Sequence, residues 1–445
     1  MADFDIVSYV SHIEASRSAK DALMRKLKTR RPPYRISVTD LTNLKQAYFR
    51  RKYPEIFPPL EKQQLMWAGT GFHKIFGSAV SSEEYVEQFV EAEGVVGKID
   101  IYEKIPVELK TTSGSVDANT LLRYRPNYVE QLGMYCAIVN VGEGEIIVYQ
   151  RQGEESSSSL FLVVYHVTFP NLEAIRDEMR RRRDLLIQAL VSNDPGSLPV
   201  CSWFNKNCDY TEVCDCKTSS VPSSYKIAEL AGQIKSNEAA REQLLARLAS
   251  PVSSGIRIKD LVFPRKAYFE RLKPQETAFG GKIEEEREEY LRSMDERGFL
   301  SALRDSLGYG ALGEVQRVPV KYPLLTDLVQ LYQNLPTILR DPKFSSLVER
   351  ERLPWKFPHY FIRLGFECAL TDHAHGRLLV YYANVLKEDA KLMVYDVTFK
   401  NLAALKAEAL RRAELLAKAH STYELPRCPS WMCPNCGYKS ECGGI

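Results

Sequence analysis

Asp100, Glu108 and Lys110 stand close together in the stretch GKIDIYEKIPVELKTT, and their types suit a single task. Two carboxylates are the oxygen ligands that a hard cation such as Mg²⁺ or Mn²⁺ takes. Such a cation lowers the pKa of a bound water and neutralises charge developing on an attacked phosphate. An ammonium group beside it can orient that water or stabilise the transition state. If VGKIDIYE and IPVELKTT form a hairpin, Asp100 lies near the exit of one strand, and Glu108 and Lys110 share a face of the next because side chains two apart point the same way. An isolated triplet of this kind more often marks a solvent-facing strand, but this one has company. His73 lies upstream in GTGFHKIFG, and Gln131 and Tyr135 lie downstream in QLGMY, spaced to share one helix face.

A second chemistry is written in cysteine. Of ten cysteines, eight fall in two groups: Cys201, Cys208, Cys214 and Cys216, then Cys428, Cys433, Cys436 and Cys442. Four thiolates suit either a 4Fe–4S cluster or a tetrahedral Zn²⁺. The CPNCG around Cys433 and Cys436 looks locally like a zinc knuckle. With either occupant the group is a staple whose metal-binding energy is folding energy. Cys136 and Cys368 lie in apolar segments and read as small core residues.

The paired cysteine groups belong to a larger pattern: the chain is written twice. VYHVTFPNLEAIRDEMRRRRDLL (Val164–Leu186) returns as VYDVTFKNLAALKAEALRRAELL (Val394–Leu416), QLGMYCAI as RLGFECAL, and the Asp40-Leu41…Ala47-Tyr48-Phe49 pattern as Asp260-Leu261…Ala267-Tyr268-Phe269. Ordered matches at slowly drifting offsets indicate duplication with small insertions. Each copy opens with an amphipathic helix, Ala19–Leu27 and Ala240–Leu248. The Ser- and Pro-rich KTSSVPSSYK reads as the linker. The expected division is therefore a first domain over 1–216, a linker over 217–226 and a second domain over 227–445. In the second copy, aligning GALGEVQ with GVVGKID puts Gln316 in the place of Asp100, VPVKYP with Lys321 follows where VELKTT should be, and Arg363 and Glu367 replace Gln131 and Tyr135. That copy is expected to be catalytically silent.

The elements that must position these groups follow from composition. VVGKIDIYE, IPVELKTT, EIIVYQR and LFLVVYHVTF are rich in β-branched residues and read as strands; 128–137 and 171–190 read as helices. The mixed order implies an α/β fold, a central sheet flanked by helices on both faces. Hydrophobic residues make up 44% and charged residues 26%, the balance of a globular protein. No run of apolar residues is long enough to span a membrane. MADFDIVSYV lacks the layout of a secretion signal, so a reducing, cytoplasmic location is expected. The net charge of +3 implies no general polyanion coat. Arg180 to Arg183 form one basic run, readable as a nucleic-acid patch or as a solvated helix face. There is no GxxxxGK[ST] loop, so the chain is not itself a P-loop motor.

The order G-x-x-x-H, G-x-x-D, E-x-K, Q-x-x-x-Y and then a cysteine group resembles the PD-(D/E)XK nucleases of the RecB-like class, closest to the CRISPR-associated RecB-type iron–sulfur exonucleases and the AddB-type nuclease domains. The resemblance covers Val38 to Cys216. It implies two tandem restriction-endonuclease-like domains, the second degenerate, each closed by its four-cysteine group. It implies that His73, Asp100, Glu108 and the backbone carbonyl of Leu109 bind Mg²⁺ or Mn²⁺. Lys110 would be the catalytic lysine, and Gln131 and Tyr135 would position DNA or the lysine. The substrate would be single-stranded DNA or DNA ends. Cys433, Cys436 and Cys442 carry the C-x₂-C-x₅-C spacing of the iron–sulfur members. The fourth, upstream cysteine of that family is missing, since Ala47 and Ala267 stand near its place, and Cys428 in one group and Cys201 or Cys216 in the other would substitute. The resemblance favours two 4Fe–4S clusters, with two structural Zn²⁺ as the alternative. A different class of function also fits the silent copy: a subunit that grips DNA or docks a helicase. Internal duplication would let the chain act as a pseudo-symmetric monomer.

Overall fold

The computed structural model describes residues 4–28, 33–112, 116–151, 161–201, 208–214, 224–248, 255–272, 291, 294, 298–307, 312–429, 432, 438 and 442. The chain forms two compact units. Lys28–Leu248 with Arg287–Ala302 make a motif unit; Met1–Leu27, Ala249–Glu286 and Leu303–Ile445 make a companion unit. Both are mixed α/β.

The chain opens with β1 (Val10–Ala15) and α1 (Arg17–Leu27), which belong to the companion unit. The motif unit then runs β2 (Ile36–Ser37), α2 (Val38–Thr42), α3 (Leu44–Lys52), α4 (Leu60–Val80), β3 (Val86–Ala92), β4 (Val95–Tyr102), β5 (Pro106–Thr112), α5 (Ala118–Tyr124), α6 (Pro126–Val139), β6 (Glu143–Gln150), β7 (Leu162–Thr168), α7 (Leu172–Ser192), α8 (Lys226–Glu229), β8 (Ile234–Ser236) and α9 (Glu238–Leu248). Its sheet is ordered β3-β4-β5-β6-β7-β8 with β2 also on β4. The β5–β6 pairing is parallel, and β3–β4, β4–β5, β6–β7 and β7–β8 are antiparallel.

The middle of the sheet is covered on both sides, which is why EIIVY reads as a continuous apolar run. Ile146 and Val148 face α2, α6 and α7, with Leu41, Val129, Leu132 and Met179. Ile147 and Tyr149 face α4 and α9, with Phe72, Phe76 and Leu245. Local signals place the helices: Ser37 caps α2 and Asp40 answers it, Pro126 opens α6, and Asn140 ends it in the left-handed region at φ 59°.

In the companion unit the elements are α10 (Ile258–Val262), α11 (Pro264–Leu272), β9 (Val315–Tyr322), β10 (Leu325–Tyr332), β11 (Leu335–Arg340), α12 (Leu353–Lys356), α13 (Pro358–Leu370), β12 (His375–Tyr381), β13 (Leu392–Phe399) and α14 (Leu402–Lys418). The sheet order is β9-β10-β11-β12-β13-β1, again with one parallel pair, β11–β12. The two sheets thus have the same order and the same strand directions.

Two sequence expectations change. The division at 216 and 227 does not describe the units, because the opening segment of each copy completes the other sheet: β1 pairs with β13, and β8 pairs with β7. The reason is backbone pairing at an open edge together with burial of Ile6, Leu23 and Leu27 in the companion unit and of Ile227 and Leu245 in the motif unit. Residues 217–223 of the expected linker lie outside the described residues, and 224–226 lead directly into α8. The second change is register. By sheet order the counterpart of β4 is β10, so the counterpart of Asp100 is Gln330 and not Gln316, which lies on edge strand β9. The matching proline and burial pattern of β5 and β11 then align Glu108 with Ile338 and Lys110 with Arg340. The sequence match went astray because an edge strand was taken for the one inside it.

The basic run in α7 is held in ion pairs. Arg182 is buried and grips Glu130 with both terminal nitrogens at 2.7 and 2.8 Å, Glu178 at 2.8 Å and the Leu41 carbonyl at 3.0 Å. Arg180 pairs with Glu93, Glu173 and Asp177, Arg181 with Glu178, and Arg183 with Asp184. Of the two readings of this run, the helix-face one describes these contacts, with Arg182 turned inward.

Candidate functional site

Four elements of the motif unit bring the site together: α4 supplies His73, β4 Asp100, β5 Glu108, Leu109 and Lys110, and α6 Gln131 and Tyr135. The hairpin expected from sequence is present but short. β4 and β5 pair at Ile101–Val107 and Tyr102–Pro106, and there the ladder stops. Beyond it the Asp100 side chain reaches across, its Oδ2 accepting the Leu109 N–H at 2.8 Å. A carboxylate so placed replaces a ladder bond and fixes its own direction. Its other oxygen stands 3.4 Å from His73 Nδ1.

Glu108 and Lys110 share the opposite face of β5, as their spacing requires. Lys110 Nζ donates to Glu108 Oε1 and, at 2.9 Å, to Gln131 Oε1. Gln131 Nε2 donates to the Tyr135 hydroxyl at 3.3 Å, and that hydroxyl donates to the Lys98 carbonyl at 3.0 Å. The lysine is thus held by a chain anchored on the backbone of β4. Gly97 makes the anchor possible: a Cβ there would lie 2.6 Å from the Tyr135 ring. Sequence reasoning missed Tyr128, over whose ring Lys110 Nζ lies at 5.3 Å. Its signal was its place three residues before Gln131 on the same helix.

Electrostatically the site is short of positive charge. Glu108 is 2% exposed, and no described residue donates to its buried Oε2. Burial, with Asp100 adding repulsion and Lys110 only partly offsetting it, pushes the Glu108 carboxyl up to about 8. Burial also raises Asp100, but His73, then Lys110 and the Leu109 N–H, outweigh it and hold that carboxyl below the ordinary range. Burial lowers Lys110, and Glu108 and Asp100 more than reverse this, so it stays an ammonium.

A divalent cation fits these groups chemically: an orphaned, buried carboxylate oxygen beside a second carboxylate is what such an ion would satisfy. The ligands are not gathered in advance, since among the described residues no three His, Cys, Asp or Glu side chains stand close enough to hold a metal ion. His73 and Asp100 face each other.

The cysteine groups are only partly visible. Cys216, Cys433 and Cys436 lie outside the described residues. Cys214 is buried and Cys208 packs against the same core, while Cys201 Sγ lies 3.2 Å from Asn43 Oδ1. Cys442 packs in the companion core, and Cys428 is half-buried. Tyr210 stacks on Phe49 at 6.1 Å and Tyr438 on Phe269 at 5.1 Å, so each cysteine segment is pinned to its unit by an equivalent aromatic pair. The described cysteines alone do not form a metal site.

Comparison with known proteins adds little. No family model and no curated protein matches the chain. Among solved structures, one titled "Crystal structure of SSO0001" is 18% identical over 45% of this chain and 95% of its own, with a TM-score of 0.31.

Proposed function

We propose that the chain is a metal-dependent nuclease of the PD-(D/E)XK, RecB-like class, acting on single-stranded DNA or DNA ends in repair, recombination or replication. The observation that carries this reading is a Lys110 held on Glu108 and Gln131 in the strand whose Leu109 N–H the Asp100 carboxylate accepts, with a buried Glu108 oxygen left without a donor among the described residues. Asp100, Glu108, His73 and the Leu109 carbonyl would hold Mg²⁺ or Mn²⁺. When bound, the ion supplies Lewis acidity and lowers the pKa of a coordinated water. Lys110 is protonated, and Gln131 and Tyr128 fix where its ammonium points, toward charge building on the phosphate oxygens. Gln131 in turn is set by Tyr135, so both helix residues act as positioning residues.

The companion unit is read as a degenerate second copy. Gln330, Ile338 and Arg340 in place of Asp100, Glu108 and Lys110 leave no carboxylate for a metal. The eight clustered cysteines are read as two 4Fe–4S clusters, or else two Zn²⁺, and metal analysis of purified protein separates about eight iron atoms from two zinc atoms per chain. A second reading, a DNA-gripping or helicase-docking subunit, is favoured by the retention of a copy without carboxylates at the positions of Asp100 and Glu108, and the two readings are compatible.

Lys110→Ala is expected to abolish cleavage of labelled single strands while leaving their binding largely intact. Cleavage should require Mg²⁺ or Mn²⁺ and stop in chelator. Added Mn²⁺ should raise the melting temperature of the wild type and not that of Asp100→Ala. Wild-type cleavage by either variant would refute the assignment.

A further inference from the structure

The place in the companion unit that matches the Lys110 site has arginines where the motif unit has Lys110 and Gln131, and Glu367 where it has Tyr135. α6 and α13 both begin at proline, Pro126 and Pro358, so Tyr128 and Gln131 correspond to Tyr360 and Arg363. The lysine-over-tyrosine contact of the motif unit is repeated: the Arg340 guanidinium lies over the Tyr360 ring at 5.8 Å. Two carboxylates, a lysine and a glutamine have become Gln330, Ile338, Arg340 and Arg363.

The two arginines are incompletely answered. Arg363 Nε pairs with Glu367 Oε1, and its Nη2 stands 3.6 Å from Asp327 Oδ2, whose carboxylate already accepts the Ile258 N–H. Arg363 Nη1 is buried, and no described residue accepts from it. Arg340 donates from Nη1 to the Leu339 carbonyl. Neither residue is sealed off, since both retain partial exposure. Tyr360, under the Arg340 guanidinium, and Arg363 stand one turn apart on α13, which brings the two cations to one place; burial, then the nearby Arg363 charge, pushes the Arg340 guanidinium down to about 10. A buried donor on a guanidinium with no acceptor is costly, and an arriving oxyanion would remove both that cost and the repulsion.

We propose that Arg340 and Arg363 form an anion pocket that holds a phosphate group, without metal, at the position where the motif unit has its carboxylates and lysine. Two guanidinium groups approaching from a strand and a helix match a tetrahedral oxyanion, which presents oxygens in several directions. The same chemistry is offered by a strand's internal phosphodiester, by a 5′-phosphate end and by free orthophosphate. The inference goes beyond the nuclease reading and does not depend on it.

The test uses the full chain in chelator, so no cleavage enters. Binding of a labelled single-stranded oligonucleotide, with and without a 5′-phosphate, is measured by anisotropy across a salt series, and orthophosphate binding by calorimetry. Arg363→Gln should weaken binding of at least one of these probes about tenfold. For an oligonucleotide it should also reduce the slope of log K against log salt by about 0.7 per lost contact. Arg363→Lys should keep the slope while losing affinity. Loss with both oligonucleotides assigns the pocket to internal diesters, loss with the phosphorylated one alone to ends, and loss with orthophosphate alone to free phosphate. If Arg363→Gln does not fold, Arg340→Gln, which removes the other guanidinium charge, provides the same comparison. Equal affinities and slopes for the folded variant and the wild type with all three probes would overturn the proposal.

Discussion

At the scale of single residues, the companion unit shows how burial decides what a side chain can be. His359 lies between the rings of Phe263, Phe357 and Tyr360, and burial, then Arg340, pushes its imidazole down to about 4. The unfolded chain takes up this proton near its ordinary value of 6.5, the folded chain only near 4. The unfolded state therefore binds more protons between those values, and stability falls as pH drops through that window. The loss should be on the order of 3 kcal/mol and complete by about pH 4. Denaturant melts of the companion unit across this range check it. His359→Phe should flatten the slope, and an unchanged slope in that variant would show that another group carries it. Types and spacing made Asp100, Glu108, Lys110, Gln131 and Tyr135 readable in advance, because each sits on a regular element whose period fixes its face. Tyr128 and Gly97 were not readable, because their roles, a ring under a cation and a missing Cβ, exist only once α6 is laid on β4 and β5.

At the scale of elements, a run of like residues can divide its labour by helical phase alone. Arg180, Arg181 and Arg182 are neighbours in sequence, yet only the last turns into the core, where it holds α7 to α6 through Glu130 and to α2 through the Leu41 carbonyl. Arg182→Ala leaves Glu130 buried without its main cation and should cost about 3–5 kcal/mol. Arg180→Ala and Arg181→Ala should each cost less than about 1 kcal/mol, as exposed pairs do. Chemical denaturation of the three variants tests the ranking, and equal losses would sink it. Here the periodicity gave the helix but not the inward residue. The strands of the motif unit were legible in β4 to β7 for the opposite reason, since their β-branched runs lie in the buried middle of the sheet. The edges were not: β3 is half-exposed with mixed side chains, and β8 spans only Ile234–Ser236. Mistaking the edge strand β9 for β10 produced the wrong counterpart of Asp100.

At the scale of the whole molecule, the repeat was visible in the sequence, but the crossing of its opening segments was not, because a strand's side chains do not say which copy's edge it will join. Removing residues 4–27 should therefore leave the motif unit able to cleave while the companion unit melts far earlier. Ile6, Leu23 and Leu27 leave its core, at about 1.5–3 kcal/mol each, and β13 loses its edge partner. Intact two-unit melting of the truncated chain would contradict this. The same pairing sets a timetable for manufacture. Ser11 and Thr398, which meet across β1 and β13, are 387 residues apart. At about 5–20 residues per second, β1 leaves the ribosome roughly 20–80 s before its partner strand exists. In the folded strand Ser11, His12, Glu14 and Ala15 face water, and only Val10 and Ile13 are partly buried. A strand that must idle until β13 has been made is thus too polar to find a wrong partner easily, and the nascent companion unit can close only once β13 has emerged.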